Sequence, residues 1–301
     1  MGLLIGVGGL IASRLGQLWI AFDVFAQFTL QFAIIAAAFL VGWFMPRARL
    51  LVAFLVIICG LLTIGLWPQV ATAYLQRTTP VPAGYRAITV ANFNTWYSNR
   101  EVDAVRAEIE RLNADIITLV EVGPNKKPML EALKSRYPHQ ATCFTVDYCN
   151  LAILAKFPIL DHQARVGWEG PPLMIAKFGP ELGSLTVIAV HTIRFPHSRA
   201  QFRQVTALAS MIEAMAGQKV VMGDFNATPF SRIITSFIRR TGLVRFSDLP
   251  TWPSHLNLPQ VAIDHIFASP GIVLTSSQQV GEPSGSDHYP VTAGIAVPIS
   301  P

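Results

Sequence analysis

Apolar residues dominate the first 77 positions of the 301-residue chain, and charged residues are rare there. The stretches 24–46 and 50–76 contain no Asp, Glu, Lys or Arg. About 20 apolar residues in helical form are enough to cross a bilayer. We therefore predict membrane-spanning helices near residues 30–44 and 50–67. The shorter apolar stretch at residues 3–12 is either a third span or an amphipathic segment at the membrane surface.

The short loop between the two long apolar stretches carries Arg47 and Arg49. Cytoplasmic loops of membrane proteins are enriched in Lys and Arg, so we expect this loop in the cytoplasm. The second span then leads outward, which places the chain after about residue 71 on the extracytoplasmic side. The sequence thus predicts a multi-pass protein of the cell (inner) membrane, with the lipid bilayer as a partner and the larger domain in the periplasm.

Two cysteines, Cys143 and Cys149, lie close together in the region predicted to be outside. A disulfide that closes so small a loop would contribute about 2 kcal/mol and would persist only in an oxidising compartment. Two free thiols are the alternative. The third cysteine, Cys59, lies in a predicted span.

The pattern changes after a proline-containing linker at residues 78–84. Apolar residues recur at helical spacing between residues 101 and 112, and further helices are predicted at 198–216 and from Thr228-Pro229 to Gly242. Strands are predicted at residues 87–93, 116–120, 151–155, 173–178, 184–190, 220–222, 262–267 and 291–295. This mixture predicts an α+β domain over residues 85–301, in which two sheets pack face to face with helices outside.

Composition supports the same division into a membrane region, 1–77, and an outer domain. Charged residues make up 14% of the chain, against about 25% in soluble domains, and mean hydropathy is +0.43. Five charged residues precede position 81, and they contribute +3 of the net charge of +5. The basic pI of 9.3 therefore says little about nucleic-acid binding by the outer domain.

Acidic, amide and imidazole side chains follow the predicted strands where each strand ends. Asn94 ends ITVANFN, Glu121 follows IITLV and His191 follows LTVIAV. The other such residues are Asp224 and Asn226 in GDFN, Asp264 after VAI, and Asp287 and His288 before the last strand. Oxygen ligands without a thiolate cluster suit Mg²⁺ or Mn²⁺, and histidines beside carboxylates suit proton transfer. Together they are the parts that hydrolysis of a phosphoester requires.

The order of these motifs, ending in SDHYP at 286–290, resembles the endonuclease/exonuclease/phosphatase family over residues 85–297. The resemblance implies a deoxyribonuclease-I-like fold, a four-layer α/β/β/α sandwich. It implies a metal site at three positions, which are Glu121, Asn94 and Asp287. The family includes members with a small N-terminal membrane bundle and an extracytoplasmic catalytic domain, and the segment VANFNTWYSNR at 90–100, followed by a helix, is similar to theirs.

The same resemblance implies roles for the remaining residues. Asp264 is expected to orient His288, and either His288 or Asp224 is the general base. Asn226 is expected to contact phosphoryl oxygens. His191 is expected to assist phosphate binding or leaving-group protonation. The sequence departs from the family in giving His191 no clear acidic partner, and Asp147 is only a candidate.

Two assignments stay open between neighbouring residues. Asn92 lies on the same strand face as Asn94, and the spacing to Asn99-Arg100 favours Asn94 as the site residue. His265 follows Asp264 and faces the opposite side of its strand, so we interpret it as structural.

The sequence therefore predicts a membrane-anchored, Mg²⁺-dependent phosphoesterase whose substrate is either nucleic acid or a phospholipid-type phosphoester. The basic residues occur as pairs and do not form the stripe typical of DNA-binding surfaces. A non-catalytic, membrane-tethered scaffold protein of the same fold is the alternative, but no predicted metal ligand is missing. A transporter is disfavoured because the apolar helices contain no internal ionisable pair. No protein partner or oligomeric state is indicated.

Overall fold

The computed structural model describes residues 1–38, 49–64, 78–144, 149–246, 249–257 and 260–299. The helices are α1 (Gly2–Leu15), α2 (Asp23–Ala26), α3 (Thr29–Ala38), α4 (Arg49–Ile64), α5 (Val102–Leu112), α6 (Lys127–Ala132), α7 (Ser198–Glu213) and α8 (Arg232–Thr241). The strands are β1 (Tyr85–Asn94), β2 (Ile116–Val120), β3 (His139–Cys143), β4 (Leu151–Ala155), β5 (Ile159–Arg165), β6 (Leu173–Phe178), β7 (Thr186–His191), β8 (Lys219–Asp224), β9 (Val244–Arg245), β10 (Asp264–Ala268), β11 (Val273–Val280) and β12 (Val291–Pro298).

The strands of the described chain form two six-stranded sheets. The first has the order β11-β12-β1-β2-β4-β3 and the second the order β5-β6-β7-β8-β10-β9. Each sheet contains one parallel pair, β1 with β2 and β7 with β8, and its other neighbours are antiparallel. Parallel neighbours need a crossover connection, which α5 and α7 provide. In each parallel pair, the carboxyl ends of the two strands therefore lie at the same edge of the sheet.

The main core lies between the two sheets. Side chains such as Val90 and Ile153 of the first sheet pack against Val187 and Met222 of the second. Outside the first sheet, α5 and α6 bury Ile109 and Leu130 against it. Outside the second sheet, α7 and α8 bury a further set, which includes Leu208, Val221 and Phe237. The predicted four-layer α/β/β/α sandwich is confirmed.

The strands that the sequence did not predict are mostly polar. Six of the seven residues of β5 are exposed, and β11 is exposed or partly buried along most of its length. Both strands lie at an edge of their sheet. Ile159 of β5 and Leu274 of β11 pack against the core, but the rest of each strand does not show the apolar alternation of a half-buried strand.

The predicted start of α8 at Thr228-Pro229 is wrong. The helix begins at Arg232, because the side chain of Ser231 accepts a hydrogen bond from the backbone N–H of Ile233 and caps the helix. Residues 228–231 form a turn instead, in which the backbone N–H of Ser231 donates to the carbonyl of Thr228 at 2.9 Å. The predicted end at Gly242 agrees with its left-handed φ of 67°.

The predicted disulfide between Cys143 and Cys149 is present, with a Cα–Cα distance of 5.6 Å. It connects the end of β3 to the chain just before β4, which pairs with β3. Asp147, the candidate partner of His191, lies outside the described residues.

The N-terminal helices pack against one another and against the sandwich. Gly6 lies against the backbone of Ala36 and Gly9 against the ring of Phe32, so α1 and α3 run antiparallel in close contact. Leu10 of α1, Val52 of α4 and Phe230 of the sandwich share one apolar cluster. The outer surface of these helices is apolar too, with exposed residues that include Ile5, Ile34, Leu50 and Phe54.

Among the described residues, no individual helix combines the length and the apolar character that a bilayer crossing requires. The consecutive segments Ile20–Ala26 and Thr29–Ala38 meet that requirement as a pair bent by 57°, by length and composition. The predicted spans at 30–44 and 50–67 continue into residues 39–48 and 65–77, which lie outside the described residues. A bundle of transmembrane helices is therefore not shown.

A matched pair of glycines in α1 tests this packing. A Cβ at Gly6 would lie 2.5 Å from the backbone nitrogen of Ala36, whereas a Cβ at Gly8 would have no neighbour within 4 Å. We expect Gly6→Ala to lower the free energy of unfolding by about 1–3 kcal/mol through overpacking, and Gly8→Ala to raise it by up to about 1 kcal/mol. Thermal unfolding of the full chain in detergent measures both; equal shifts would contradict the helix pairing.

Candidate active site

The carboxyl ends of both parallel strand pairs meet at one rim of the sandwich. Asn94 ends β1, Glu121 follows β2, His191 ends β7 and Asp224 ends β8, while Asp264 begins the antiparallel neighbour of β8. A cavity of about 600 Å³ opens at this rim. Six of the predicted site residues line it, namely Glu121, His191, Asp224, Asn226, Asp287 and His288. The structure thus brings the predicted residues together, with Asn94 and Asp264 directly behind the lining.

Glu121 and Asp224 are joined by one amide. Asn94 donates from Nδ2 to Glu121 Oε1 at 3.3 Å and to Asp224 Oδ2 at 3.0 Å. The second oxygen of Glu121 accepts from the backbone N–H of Tyr97 at 2.9 Å. Glu121 has a φ of +55°, a left-handed conformation that costs a residue with a side chain some strain. The strained backbone and the donors fix this carboxylate at the cavity wall.

His288 is held by a buried carboxylate. Its Nδ1 lies 2.7 Å from Asp264 Oδ2, and its Nε2 is directed toward Asp224 Oδ2 at 3.7 Å. Asp264 also accepts from Thr251 Oγ1 at 2.6 Å and from Asn92 Nδ2 at 3.0 Å. Burial opposes the charged form of the imidazole, but Asp264 and Asp224 outweigh it and raise the pKa of His288 to about 10. His288 is therefore cationic at neutral pH.

His191 faces the same two carboxylates from the opposite side. Its Nε2 lies 3.5 Å from Glu121 Oε1 and 3.8 Å from Asp224 Oδ2. Burial lowers the pKa of His191 below its ordinary value, although Glu121 pulls the pKa upward. The two histidines therefore differ in charge near neutral pH, which is typical of sites where two similar groups take different roles.

The carboxylates differ in the same way. Burial raises the pKa of Asp224 to about 8. The cationic His288 acts in the opposite direction and lowers this pKa, whereas the charge of Asp264 raises it further. Burial also acts on Glu121, but His191 and the Tyr97 amide outweigh it and lower the pKa of Glu121. Glu121 is thus ionised at neutral pH, while Asp224 holds a proton that a nearby cation would displace.

The donor set fits a divalent cation. Ligand atoms of Glu121, His191 and Asp224 all lie within 4.8 Å of one another, and so do those of Asp224, Asp264 and His288. The carboxylate oxygens of this set suit Mg²⁺ or Mn²⁺, which prefer oxygen ligands. Glu121 and Asp224 are the residues that would hold it.

Two of the predicted metal ligands are turned to other partners. Asn94 directs its NH₂ group to the carboxylates, and its Oδ1 accepts from the backbone N–H of Trp96 at 3.0 Å. Asp287 accepts from the indole of Trp252 at 3.3 Å, at the cavity wall. A ligand role for Asn94 and Asp287 stays a prediction.

Asn226 also lies at the cavity, with its polar groups engaged. Its side chain donates to the carbonyl of Thr192 at 3.1 Å, and its backbone N–H donates to Asp224 Oδ1 at 2.8 Å. These bonds fix the turn that carries Asp224. Phosphoryl contact by Asn226 stays a prediction.

Several supporting residues could not be identified from motifs. Asn92 bonds Asp264, so both asparagines of β1 serve the site; the alternation of the strand already placed them on one face. Lys126 is fully buried, and its Nζ donates to the carbonyls of Trp96 at 2.8 Å and Tyr97 at 3.3 Å. It braces the turn that presents the Tyr97 amide to Glu121, and no sequence signal marked it.

His265 lies away from the cavity, as the strand alternation indicated. Its Nε2 is 2.8 Å from the carbonyl of Ala227, and its ring packs near Phe225 and Phe267. This placement is in keeping with a structural role.

Residues 91–288 match the Endonuclease/Exonuclease/phosphatase family. The chain belongs to this family. The match contains every predicted site residue, and the family consists of metal-dependent phosphoester hydrolases. The protein is therefore an enzyme of this hydrolase class. No curated protein matches the chain at a significant level.

Solved structures show the same fold at low sequence identity. Sphingomyelinase C from Streptomyces griseocarneus is 14% identical with a TM-score of 0.55, and a beta toxin double mutant from Staphylococcus aureus with bound magnesium ions is 15% identical with a TM-score of 0.55. A mannosyl-6-phosphatase from Bacteroides thetaiotaomicron is 16% identical with a TM-score of 0.56. Each match covers 69% of this chain and 99% of the other.

The protonation state of Asp224 predicts how metal affinity varies with pH. Below about pH 8 a cation placed beside Asp224 must displace its proton. Glu121 is already ionised and His288 stays protonated, so Asp224 is the group that titrates here. We expect Mn²⁺ affinity to rise up to about tenfold per pH unit between pH 6 and 8 and then to level off.

Calorimetric titration in buffers of different ionisation enthalpy measures both the affinity and the released proton. Asp224→Asn is the control, since it should bind more weakly and without this pH dependence. Affinity that is constant from pH 6 to 8 in the unmodified chain would contradict the assignment.

Proposed function

We propose that the protein is a membrane-anchored, Mg²⁺-dependent phosphoesterase that acts outside the cytoplasm on a phospholipid-type phosphoester. The observation that supports it most is the arrangement of a cationic His288 and a neutral His191 on opposite sides of Glu121 and Asp224. Such a set can bind a phosphate group, stabilise added negative charge and move a proton at one point in space.

A bound Mg²⁺ would neutralise phosphoryl oxygens and lower the pKa of a water molecule. Glu121 would be its principal ligand. His288, kept protonated by Asp264, directs an N–H from Nε2 into the cavity and stabilises the negative charge of the transition state. With its pKa shifted to about 10, His288 is poorly suited as the base. Asp224, ionised once a bound cation has displaced its proton, would then accept the proton of the attacking water, and the neutral His191 would assist phosphate binding.

The cavity wall favours a substrate with an apolar group beside its phosphate. Ile193, Phe195 and Trp252 line it, and the rings of Phe195 and Trp252 meet edge to face at 6.3 Å. Arg194 is the one Lys or Arg along the described lining. A nucleic-acid site of this size would ordinarily present several such cations to the phosphates. A lipid headgroup with its apolar tail nearby fits this wall better, and the apolar N-terminal helices would keep the enzyme at the bilayer.

Two substitutions test the catalytic assignment in the full chain with Mg²⁺. Glu121→Ala and His288→Ala should each lower kcat/KM on an aryl phosphodiester about 10²- to 10⁴-fold, because they remove a metal ligand and a charge-stabilising donor. Glu169→Ala and His162→Ala are matched controls at exposed positions and should stay within twofold of the unmodified enzyme.

The same preparation distinguishes substrates. Phospholipid vesicles should be hydrolysed, and duplex DNA and RNA should not. Turnover of nucleic acid alone would overturn the substrate proposal. If no phosphoester is turned over and no divalent ion binds, the enzyme proposal itself fails.

Membrane orientation has its own test. A reporter enzyme that is active only outside the cytoplasm, fused after Pro301, should be active, because Arg47 and Arg49 retain their loop inside. Arg47→Glu with Arg49→Glu should lower that activity. If this fusion is inactive, and a second fusion at Pro301 to a reporter that works only in the cytoplasm is active, the proposed orientation is wrong.

A further inference from the structure

The chain between α1 and α3, residues 17–28, lies directly on the sandwich; we call it the elbow. It contacts residues 228–235, which follow Asn226 and lead into α8. Gln17 Nε2 donates to the carbonyl of Phe230 at 2.7 Å, and its Oε1 accepts from Thr235 Oγ1 at 3.1 Å. Arg232 donates from Nη1 to the carbonyl of Leu18 at 2.7 Å.

Asp23 is the one acidic residue among the first 80 and is fully buried. Its Oδ1 accepts from the backbone N–H of Arg232 at 2.6 Å, and its Oδ2 accepts from Ser231 Oγ at 2.6 Å. A carboxylate at the first turn of a helix is stabilised by the helix dipole. The acid of the apolar region thus caps a helix of the sandwich.

Gln27 bonds even closer to the active site. Its Oε1 accepts from the backbone N–H of Thr228 at 2.7 Å, and its Nε2 lies 3.3 Å from Asp23 Oδ2. Thr228 Oγ1 donates to the carbonyl of Ala26 at 3.1 Å. Gln27 and Thr228 are almost fully buried, so no water can replace Gln27 as the acceptor. Thr228 is two residues beyond Asn226.

The sandwich holds the same loop from the other side. Gln201 Nε2 donates to the carbonyls of Phe225 at 2.8 Å and Asn226 at 3.0 Å. The loop that carries Asp224 and Asn226 is thus fixed between α7 and the elbow. Phe28 adds a second contact, since its ring lies 5.9 Å from that of Phe195 in the cavity wall.

We propose that the elbow supports the active site from outside the cavity, and that Gln27 and Asp23 are positioning residues for the Asp224–Asn226 loop. The family match begins at residue 91, so the elbow lies outside the part of the chain shared with the family. The inference rests on the proposed phosphoesterase function. It also means that the apolar N-terminal region supports catalysis in addition to any anchoring.

Two glutamines on neighbouring turns give a matched test in the full chain. Gln27→Met removes the acceptor for Thr228 at similar volume. Gln31→Met is the control, because Gln31 also bonds the sandwich, through the carbonyl of Gln260 at 3.0 Å, but it is only partly buried and its bond does not involve Thr228. We expect Gln27→Met to lower kcat on an aryl phosphodiester about 10- to 100-fold, with KM within twofold, and to weaken Mn²⁺ binding. Gln31→Met should change neither.

A charge swap separates positioning from simple stability. Gln27→Glu alone sets a second carboxylate beside Asp23 and should lower kcat. Adding Asp23→Asn restores one carboxylate and one amide in contact, with an acceptor still available to Thr228, and should recover most of the activity. The proposal is contradicted if the double variant has the melting temperature of the unmodified chain but a kcat as low as that of Gln27→Glu.

The proposal is overturned if Gln27→Met and Gln31→Met have the same kcat and the same Mn²⁺ affinity. If the unmodified chain hydrolyses no substrate, the proposed function fails, and Mn²⁺ affinity alone then decides the role of the elbow. Unchanged Mn²⁺ binding in Gln27→Met would in that case overturn it.

Discussion

The site depends on burying three carboxylates and two imidazoles at one rim without leaving a charge unpaired. Burial of an isolated charge is costly, and a buried group either finds partners or changes its protonation state. Asp264 has three donors, Glu121 has an amide and a backbone N–H, and Asp224 takes up a proton instead. The resulting difference between Asp224 and Glu121 is the source of the chemistry.

The two sheets explain why these groups meet. Each sheet contributes one parallel pair, and their carboxyl ends coincide in space, so residues far apart in sequence converge at one edge. The amides of β1 then fill the gap between the sheets, where Asn94 contacts Glu121 of the first sheet and Asp224 of the second. Side chains at this junction both support the sandwich and orient the reactive groups.

Most of the strands and site residues could be predicted from the sequence. Buried strands are apolar runs, and the functional residues occur where those runs stop. Edge strands such as β5 were missed, since exposed strands carry no such pattern. The sequence favoured Asn94 over Asn92 as the site residue. The two share one face of β1, and both donate hydrogen bonds to carboxylates of the site. Lys126 depends on a turn formed by distant residues, and no local pattern encodes that contact. The start of α8 was misplaced because the cap is Ser231, whose hydroxyl, with the N–H of Arg232, also bonds Asp23, a residue more than 200 positions away.

That distance has a consequence for the order of assembly. The elbow is synthesised long before Thr228 and Ser231, which lie 201 and 208 residues downstream of Gln27 and Asp23. These contacts can form only once residues 228–232 have been synthesised, and they carry the entropic cost of closing a long loop. The polar groups of the elbow must therefore remain solvated or transiently paired until the sandwich has folded. The hydrogen bonds that hold Thr228 and Ser231 against the elbow can consequently form only after most of the chain has been made, and a chain truncated before residue 228 lacks them altogether.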